Sequence, residues 1–303
     1  MSEGTRPLNL IQRAFGRGAE DSAVRPEPVA PAPVETRVAT PLAEPHAIPA
    51  VPPQKRLASI GLNFAELRRS GMVRPDNKAS GIGNEFRAIK RRVIANARDG
   101  ENGALRNNLV MVTSPLPKEG KTFTSVNLAI SLAMERDLRV LLVDCDMLRP
   151  GVARFFGKSR GDGLAEFLKG KVPSMDDVTY RCKDLPNLDV TFAGTPEAES
   201  PELVSSRRMA ELLLDLAGSD RDRVVIVDTP PVLASTEAAT LAPQVHQIIM
   251  VIAALQSDRF QLEKALETVA SCSSISLLFN KAPRWRQLAR DNYYYYAEQA
   301  TRA

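Results

Sequence analysis

The segment Ser114-Pro-Leu-Pro-Lys-Glu-Gly-Lys-Thr122 sets a glycine, a lysine and a threonine in succession between an apolar run and a helical pattern. That context and those residue types suit phosphate binding. Gly120 would let the backbone approach phosphate oxygens closely. Lys121 would reach the β and γ phosphates of ATP, and the Thr122 hydroxyl would hold Mg²⁺. The helix that opens there aims its free N–H groups and positive dipole end at the same anion. The expected ATP-contacting stretch is therefore Pro117, Lys118, Glu119, Gly120, Lys121, Thr122 and Phe123. In one respect the loop departs from G-x-x-x-x-G-K-[ST]: Pro115 stands where the first glycine belongs.

Two acidic strand ends accompany the loop. Val140-Leu-Leu-Val-Asp-Cys-Asp146 carries two carboxylates two residues apart, and side chains so spaced share one face of a strand. Val224-Val-Ile-Val-Asp228-Thr-Pro-Pro231 repeats the design, with Asp228 expected to hold Mg²⁺ through water. A single strand-terminal aspartate often only caps the next helix. Three of them behind a Lys-Thr loop, at the carboxyl ends where α/β sheets bind ligands, point to a nucleotide site.

Tyr293 to Tyr296 form a run of four, out of five tyrosines in the chain. Neither a helix nor a strand can turn four consecutive aromatics to one face. They lie within ten residues of the C-terminus, where chains are usually mobile. By itself such a run reads as a docking patch; behind an ATP site it reads as a cluster of phosphoryl acceptors. In-line attack by a tyrosine hydroxyl on the γ-phosphorus needs Lys121 and Mg²⁺ to neutralise charge. It also needs a carboxylate to take the phenolic proton, whose pKa is roughly 10. Asp144 or Asp146 is the candidate, with Asp144 the first choice.

The elements that must position these groups follow from periodicity. Apolar runs at 109–112, 140–143, 188–192, 224–227, 248–252 and 275–279 alternate with helical patterns near 163–169, 202–217 and 258–270. A further helical pattern begins near residue 83, with Phe86, Ile89, Val93 and Ala97 at helical spacing. Uniformly apolar strands alternating with helices imply a mostly parallel sheet covered on both faces, an α/β fold. Residues 25–53 hold nine of the 22 prolines and cannot bury enough apolar surface to order themselves. Three divisions are thus expected: a disordered proline-rich arm over 1–80, an α/β domain over 81–288, and a mobile tail over 289–303. Within the arm, residues 7–15 read either as disordered tail or as a short amphipathic helix.

Composition narrows the classes. At 303 residues with 44% hydrophobic content, the chain can form one large α/β domain with extensions. A net charge of +4 suits an anionic ligand or a membrane surface and argues against nucleic acid as a partner. Three scattered cysteines and two histidines fit neither a disulfide framework nor a zinc site, and suit a reducing cytosol. The longest apolar stretch, Ile248 to Leu255, is far short of a membrane span. A soluble, cytoplasmic protein with at most peripheral membrane contact is expected.

The ordered set of motifs over about residues 83–296 resembles the bacterial tyrosine autokinases of exopolysaccharide biosynthesis, relatives of the septum-positioning and plasmid-partition ATPases. Ser114–Thr122 is similar to that family's Walker A loop, Asp144-Cys-Asp146 with Arg149-Pro150 to its Walker A′, and Asp228-Thr-Pro-Pro to its Walker B. The arginine follows the second aspartate by three residues, a spacing similar to the exosortase-associated branch. Gly163-Leu-Ala-Glu-Phe-Leu and Gly194-Thr-Pro-Glu also resemble family segments, and Asn280-Lys281 resembles a base-contacting strand end. Glu85-Phe-Arg-Ala-Ile-Lys90 is similar to the helix through which these kinases form rings, and equally suits an amphipathic helix packed on its own core.

The resemblance implies a P-loop NTPase fold and a Mg²⁺- and ATP-dependent protein-tyrosine autokinase. It implies catalytic Lys121, Asp144 and Asp146, and Mg²⁺ ligands Thr122, Asp144 and Asp228. Asn280 would join the ATP contacts, and Tyr293, Tyr294, Tyr295 and Tyr296 would be acceptors in a neighbouring subunit's site. The implied partners are a membrane-embedded polysaccharide chain-length-determinant activator, further copies of the chain while unphosphorylated, and a tyrosine phosphatase. The implied location is the inner-membrane surface. The competing reading is a partition-type regulatory ATPase without kinase activity. That group carries a second lysine early in the loop, where this chain has Leu116.

Overall fold

The computed structural model describes residues 57–77, 80–98, 107–158, 161–196, 199–218, 220, 222–254 and 256–282. The proline-rich stretch before residue 57 and the tyrosine run lie outside these residues. Among the described residues eight strands form one sheet: β1 (Ala58–Ile60), β2 (Leu109–Thr113), β3 (Arg139–Asp144), β4 (Thr179–Cys182), β5 (Leu188–Thr191), β6 (Arg223–Asp228), β7 (Gln247–Ala253) and β8 (Ile275–Asn280). Their order is β1-β4-β5-β3-β6-β2-β7-β8, parallel throughout except for the β4–β5 pair. The helices are α1 (Phe64–Arg69), α2 (Gly81–Ala97), α3 (Lys121–Ala133), α4 (Leu164–Leu168), α5 (Ser200–Val204), α6 (Arg207–Gly218), α7 (Glu237–Leu241) and α8 (Arg259–Thr268).

Every residue of β2, β5 and β7 is buried, as is all of β3 and β6 beyond the first residue. The strand period of two divides that apolar content between two cores. Val110, Val112, Val140, Leu142, Val224, Ile226 and Val251 meet α1, α2 and α3 on one face. Met111, Leu141, Val143, Val225, Val227, Ile248 and Met250 meet α4, α6, α7 and α8 on the other. Strands covered on both sides can afford no polar face, which is why their sequences read as continuous apolar runs.

Helix α3 leaves the end of β2 and runs almost wholly buried. Helix α2 packs over it with Phe86, Lys90, Val93 and Ala97 inward, capped at its start by the Ser80 hydroxyl. Buried Lys90 is satisfied by the Ser131 carbonyl at 3.2 Å and by an ion pair with Glu135. Arg87 and Arg91 face outward.

The structure corrects the expected boundary at residue 80. Residues 57–77 are not part of a disordered arm: β1 pairs in parallel with β4, and Leu62, Leu67, Met72 and Val73 enter the core. A buried side chain of α3 supplies the anchor, since Asn127 Oδ1 accepts from Val73 N at 2.7 Å. The segment is rich in apolar residues, but its strand and helix are only three and six residues long, so its order comes from docking rather than local propensity. Strands β1 and β4 and helix α7, all short, were not expected. The helical pattern at 202–217 is two helices, because the Ser206 hydroxyl accepts from Met209 N and starts α6 afresh.

Gly163 and Gly194 hold α4 against the end of β5. A Cβ on Gly163 would meet Gly194 N and Phe192 O, both at 2.4 Å. Gly163→Ala should therefore force backbone apart and destabilise the chain by about 1–3 kcal/mol, read as a lowered midpoint in thermal denaturation; an unchanged midpoint would show that this junction yields freely.

Candidate active site

Strands β2, β3 and β6 are adjacent and parallel, so their carboxyl ends deliver the loop and the acidic residues to one place. Asp144 and Asp228 are register partners on β3 and β6, each fully buried. The loop from β2 enters α3 through Gly120, which has φ +105°. A Cβ there would sit 2.0 Å from the Asn280 amide, so only glycine serves both the turn and the close packing. No side chain caps α3, and its first N–H groups stay directed at the loop.

Lys121 Nζ donates to Asp146 Oδ2 at 2.7 Å. Burial by itself would lower the ammonium's pKa, but Asp228, Asp146 and Asp144 outweigh it and hold it above its ordinary value. Asp144 accepts three backbone N–H groups: Asp146 at 3.2 Å on Oδ1, and Gly151 and Val152 at 3.2 and 3.1 Å on Oδ2. Even so, burial and the neighbouring Asp228 push it well above the usual carboxylate range. Burial likewise lifts Asp228 to about 6, against the pull of Lys121 and the hydroxyls of Thr122 and Ser125. The two carboxyls compete for one local positive charge, so the pair holds a proton more tightly than either would alone.

A nucleotide and its metal need a cation acceptor beside the phosphate loop. Asp228 Oδ1 accepts from the Ser125 hydroxyl at 2.8 Å, while its buried Oδ2 has no protein partner. An orphaned buried carboxylate oxygen beside Thr122 suits a Mg²⁺ shell of hydroxyl, phosphate and water. Among the described residues no three acidic, histidine or cysteine side chains form a ready-made metal cage. The residues present fit the group.

The loop side chains divide by role. Pro117 and Lys118 are exposed at the tip. Glu119 is turned inward: its carboxylate accepts from Leu116 N at 2.6 Å, Ala253 N at 3.2 Å and the Ser257 hydroxyl. Phe123 packs on the α2 side, its ring 6.4 Å from that of Phe86. Glu119 and Phe123 thus shape the loop with their side chains and face the phosphate position only with their backbones. Asn280 Nδ2 donates to Glu119 O at 2.8 Å, so the strand end expected at the base lies against the loop itself. Tyr293–Tyr296 lie outside the described residues.

Three residues escaped the sequence reading: Ser125, Gly151 and Val152. Ser125 follows Lys121 by one helical turn, a spacing that could have exposed its role. The N–H groups of Gly151 and Val152 carry no side-chain signal. Lys281 Nζ grips Lys118 O at 2.7 Å across more than half the chain, which no local pattern encodes.

A family described as CobQ/CobB/MinD/ParA nucleotide binding domain matches residues 110–286. Tyrosine-protein kinase YwqD of Bacillus subtilis is 34% identical over 165 residues, 54% of this chain and 68% of that protein. Tyrosine-protein kinase ptk of Acinetobacter johnsonii is 39% identical over 137 residues, 45% of this chain and 18% of that protein. The chain spans about a fifth of the length of several curated relatives it matches. Among solved structures, the kinase domain of Escherichia coli tyrosine kinase ETK superposes with a TM-score of 0.62 at 26% identity, covering 75% of this chain and 89% of that one.

Charge crowding at this site has a measurable sign. Because the Asp228 pKa is raised to about 6 from 3.8, its ionisation opposes folding, and the penalty grows as pH rises from about 4 to 6. In nucleotide-free protein at pH 7, Asp228→Asn should raise the melting temperature by roughly 2–4 °C for each kcal/mol relieved, with the gain vanishing below pH 4. A lowered midpoint at pH 7 would show that the carboxylate is well compensated.

Proposed function

Since the chain belongs to the CobQ/CobB/MinD/ParA nucleotide-binding family, and within it to the bacterial tyrosine-protein kinases, we propose that it transfers the γ-phosphoryl group of ATP to tyrosines of its own Tyr293–Tyr296 run. The observation that carries this reading is Lys121, poised at the start of α3 on Asp146, with Asp144 and Asp228 behind it.

In the proposed reaction, phosphates dock on the α3 N-terminus and the loop backbone from Pro117 to Phe123. Lys121 shifts from Asp146 to the β and γ oxygens and spreads the charge that develops there. Thr122 and Asp228 would hold Mg²⁺, with Asp144 at hand; bound there, the ion would neutralise phosphate charge. The tyrosine oxygen bonds to the γ-phosphorus as the bond to the ADP oxygen breaks. The phenolic proton passes to Asp144, whose raised proton affinity suits an acceptor, or to Asp146 once Lys121 has left it. Asn280 holds the loop and borders the base.

The same reading extends to setting. Exopolysaccharide synthesis, polymerisation or export is the process we assign, with a separate membrane activator of chain length and an opposing tyrosine phosphatase. The three-residue spacing from Asp146 to Arg149 supports the exosortase-associated branch. No helix among the described residues is long and apolar enough to cross a membrane. Contact with the inner membrane would then run through the activator. Assembly of unphosphorylated copies is assigned to the outward face of α2, where Arg87 and Arg91 are exposed. Each phosphate adds about −1.5 to −2 charges, and their repulsion would loosen such an assembly.

The test is mass spectrometry of the purified chain before and after Mg·ATP, with phosphatase-treated controls and a candidate activator supplied. Phosphate on Tyr293–Tyr296 that is lost in Lys121→Met supports the autokinase. ATP hydrolysis with every tyrosine unmodified would transfer the assignment to a partition-type switch ATPase.

A further inference from the structure

A cavity of ≈ 330 Å³ opens between the loop after β3 and the segment beyond β5, and the chemistry above leaves it unused. Its volume lies within the roughly 300–1,000 Å³ typical of ligand pockets. Pro150 and Ala153, from the loop after β3, form one side; Phe192, Gly194 and Pro196, beyond β5, form another; Lys158 also lines it. The first of these loops is tied to the transfer site. Gly151, next to Pro150, packs on Thr122 so closely that a Cβ would lie 2.9 Å from its methyl, and the N–H groups of Gly151 and Val152 hold Asp144.

Lys158 is the unusual member. Its half-buried ammonium donates to the Tyr180 hydroxyl at 2.8 Å, 4.1 Å from the centroid of that ring and 5.5 Å from that of Phe192. Among the described residues no carboxylate pairs with it, whereas the other inward-facing lysines, Lys90 and Lys121, each hold one. Aromatic faces stabilise a cation without neutralising it. No acidic side chain is among its described lining residues, and its proline, alanine and phenylalanine walls suit an aromatic ring bearing an anion. An aryl phosphate meets both requirements.

The chain carries one source of aryl phosphate that the proposed reaction itself makes. From Ala282 the chain needs eleven steps to Tyr293, a reach of up to about 36 Å. Strand β8 lies five strand spacings from β5, about 24 Å. The tyrosine run is therefore long enough to reach the cavity, whether it comes from its own chain or from another copy.

We propose that this cavity is a phosphotyrosine subsite, in which Lys158 anchors one phosphorylated residue of Tyr293–Tyr296 so that a neighbouring tyrosine of the run is presented to Lys121 and Asp144. The inference rests on the autokinase reading and adds to it a reason for consecutive acceptors. The first phosphate forms as described above; anchored by Lys158, it raises the local concentration of the remaining hydroxyls at the γ-phosphorus.

The test has two arms on the full chain. In the first, intact-mass time courses with Mg·ATP give the ratio of second to first phosphorylation rates. Lys158→Gln should lower that ratio at least tenfold and Lys158→Arg should restore most of it; an equal ratio in all three proteins overturns the proposal. In the second, a peptide of residues 287–303 phosphorylated at Tyr294 should bind wild-type chain at least tenfold tighter than the unmodified peptide. Lys158→Gln should erase that preference. Phenyl phosphate should compete, and competition by inorganic phosphate at equal strength would overturn the aromatic part. A wild-type chain that never phosphorylates its tail would sink the kinase reading, and the peptide arm would still decide the cavity.

Discussion

Asp144 and Asp228 face each other across adjacent strands at full burial, with Asp146 two residues on and Lys121 as the ammonium that holds the cluster. Ionised carboxylates out of water are costly unless paired or hydrogen-bonded. The surrounding structure supplies what one lysine cannot: N–H donors from Gly151 and Val152, the Ser125 hydroxyl, and the positive end of α3. A parallel sheet is what brings this together, because β2, β3 and β6 all end on the same side. In the proposed chemistry this excess of negative charge is what would accept a cationic metal and let Lys121 pass to phosphate.

The loop around that cluster is shaped in advance. Lys118 at φ 67° and Lys281 at φ 55° are non-glycine residues in the left-handed region, each costing on the order of 1–3 kcal/mol. They restrain each other through the Lys281 ammonium on the Lys118 carbonyl. Glu119 adds a strap to Ala253 and Ser257 at the end of β7, and Asn280 bonds its carbonyl from β8. Ordering costs met in the fold need not be met again when phosphate binds. The same contacts connect the loop to β7 and β8, so changes at that edge of the sheet would be felt at the phosphates.

Pro115, in place of the usual first glycine, is held by backbone hydrogen bonding. Its carbonyl accepts from Leu233 N at 3.2 Å and the Ser114 carbonyl from Val232 N at 2.8 Å, so the loop leans on the segment after Asp228-Thr-Pro-Pro. Val232 and Leu233, directly after the Walker B prolines, thus buttress the phosphate loop. In the same way, Glu166 of the Gly163-Leu-Ala-Glu segment accepts from Gly163 N and Thr195 N, closing the corner beside the Lys158 cavity.

Much of this was legible in the order of residues. Apolar runs of strand length found β2, β3, β5, β6, β7 and β8; all but the edge strand β8 are buried on both faces, which leaves few polar positions to confuse the pattern. Lys121, Thr122, Asp144, Asp146 and Asp228 stood out because phosphate and metal chemistry admits few residue types at those spacings. Direction and partnership were not legible. That Glu119 points inward, that Ser125 serves Asp228, that Asn127 pins residues 57–77 into the sheet, and that Lys158 sits over aromatic rings all depend on residues tens to hundreds of positions apart. Local pattern encodes period and chemistry; it carries no record of which distant backbone group will lie within 3 Å once the helices close over the sheet, and that closure alone decided them.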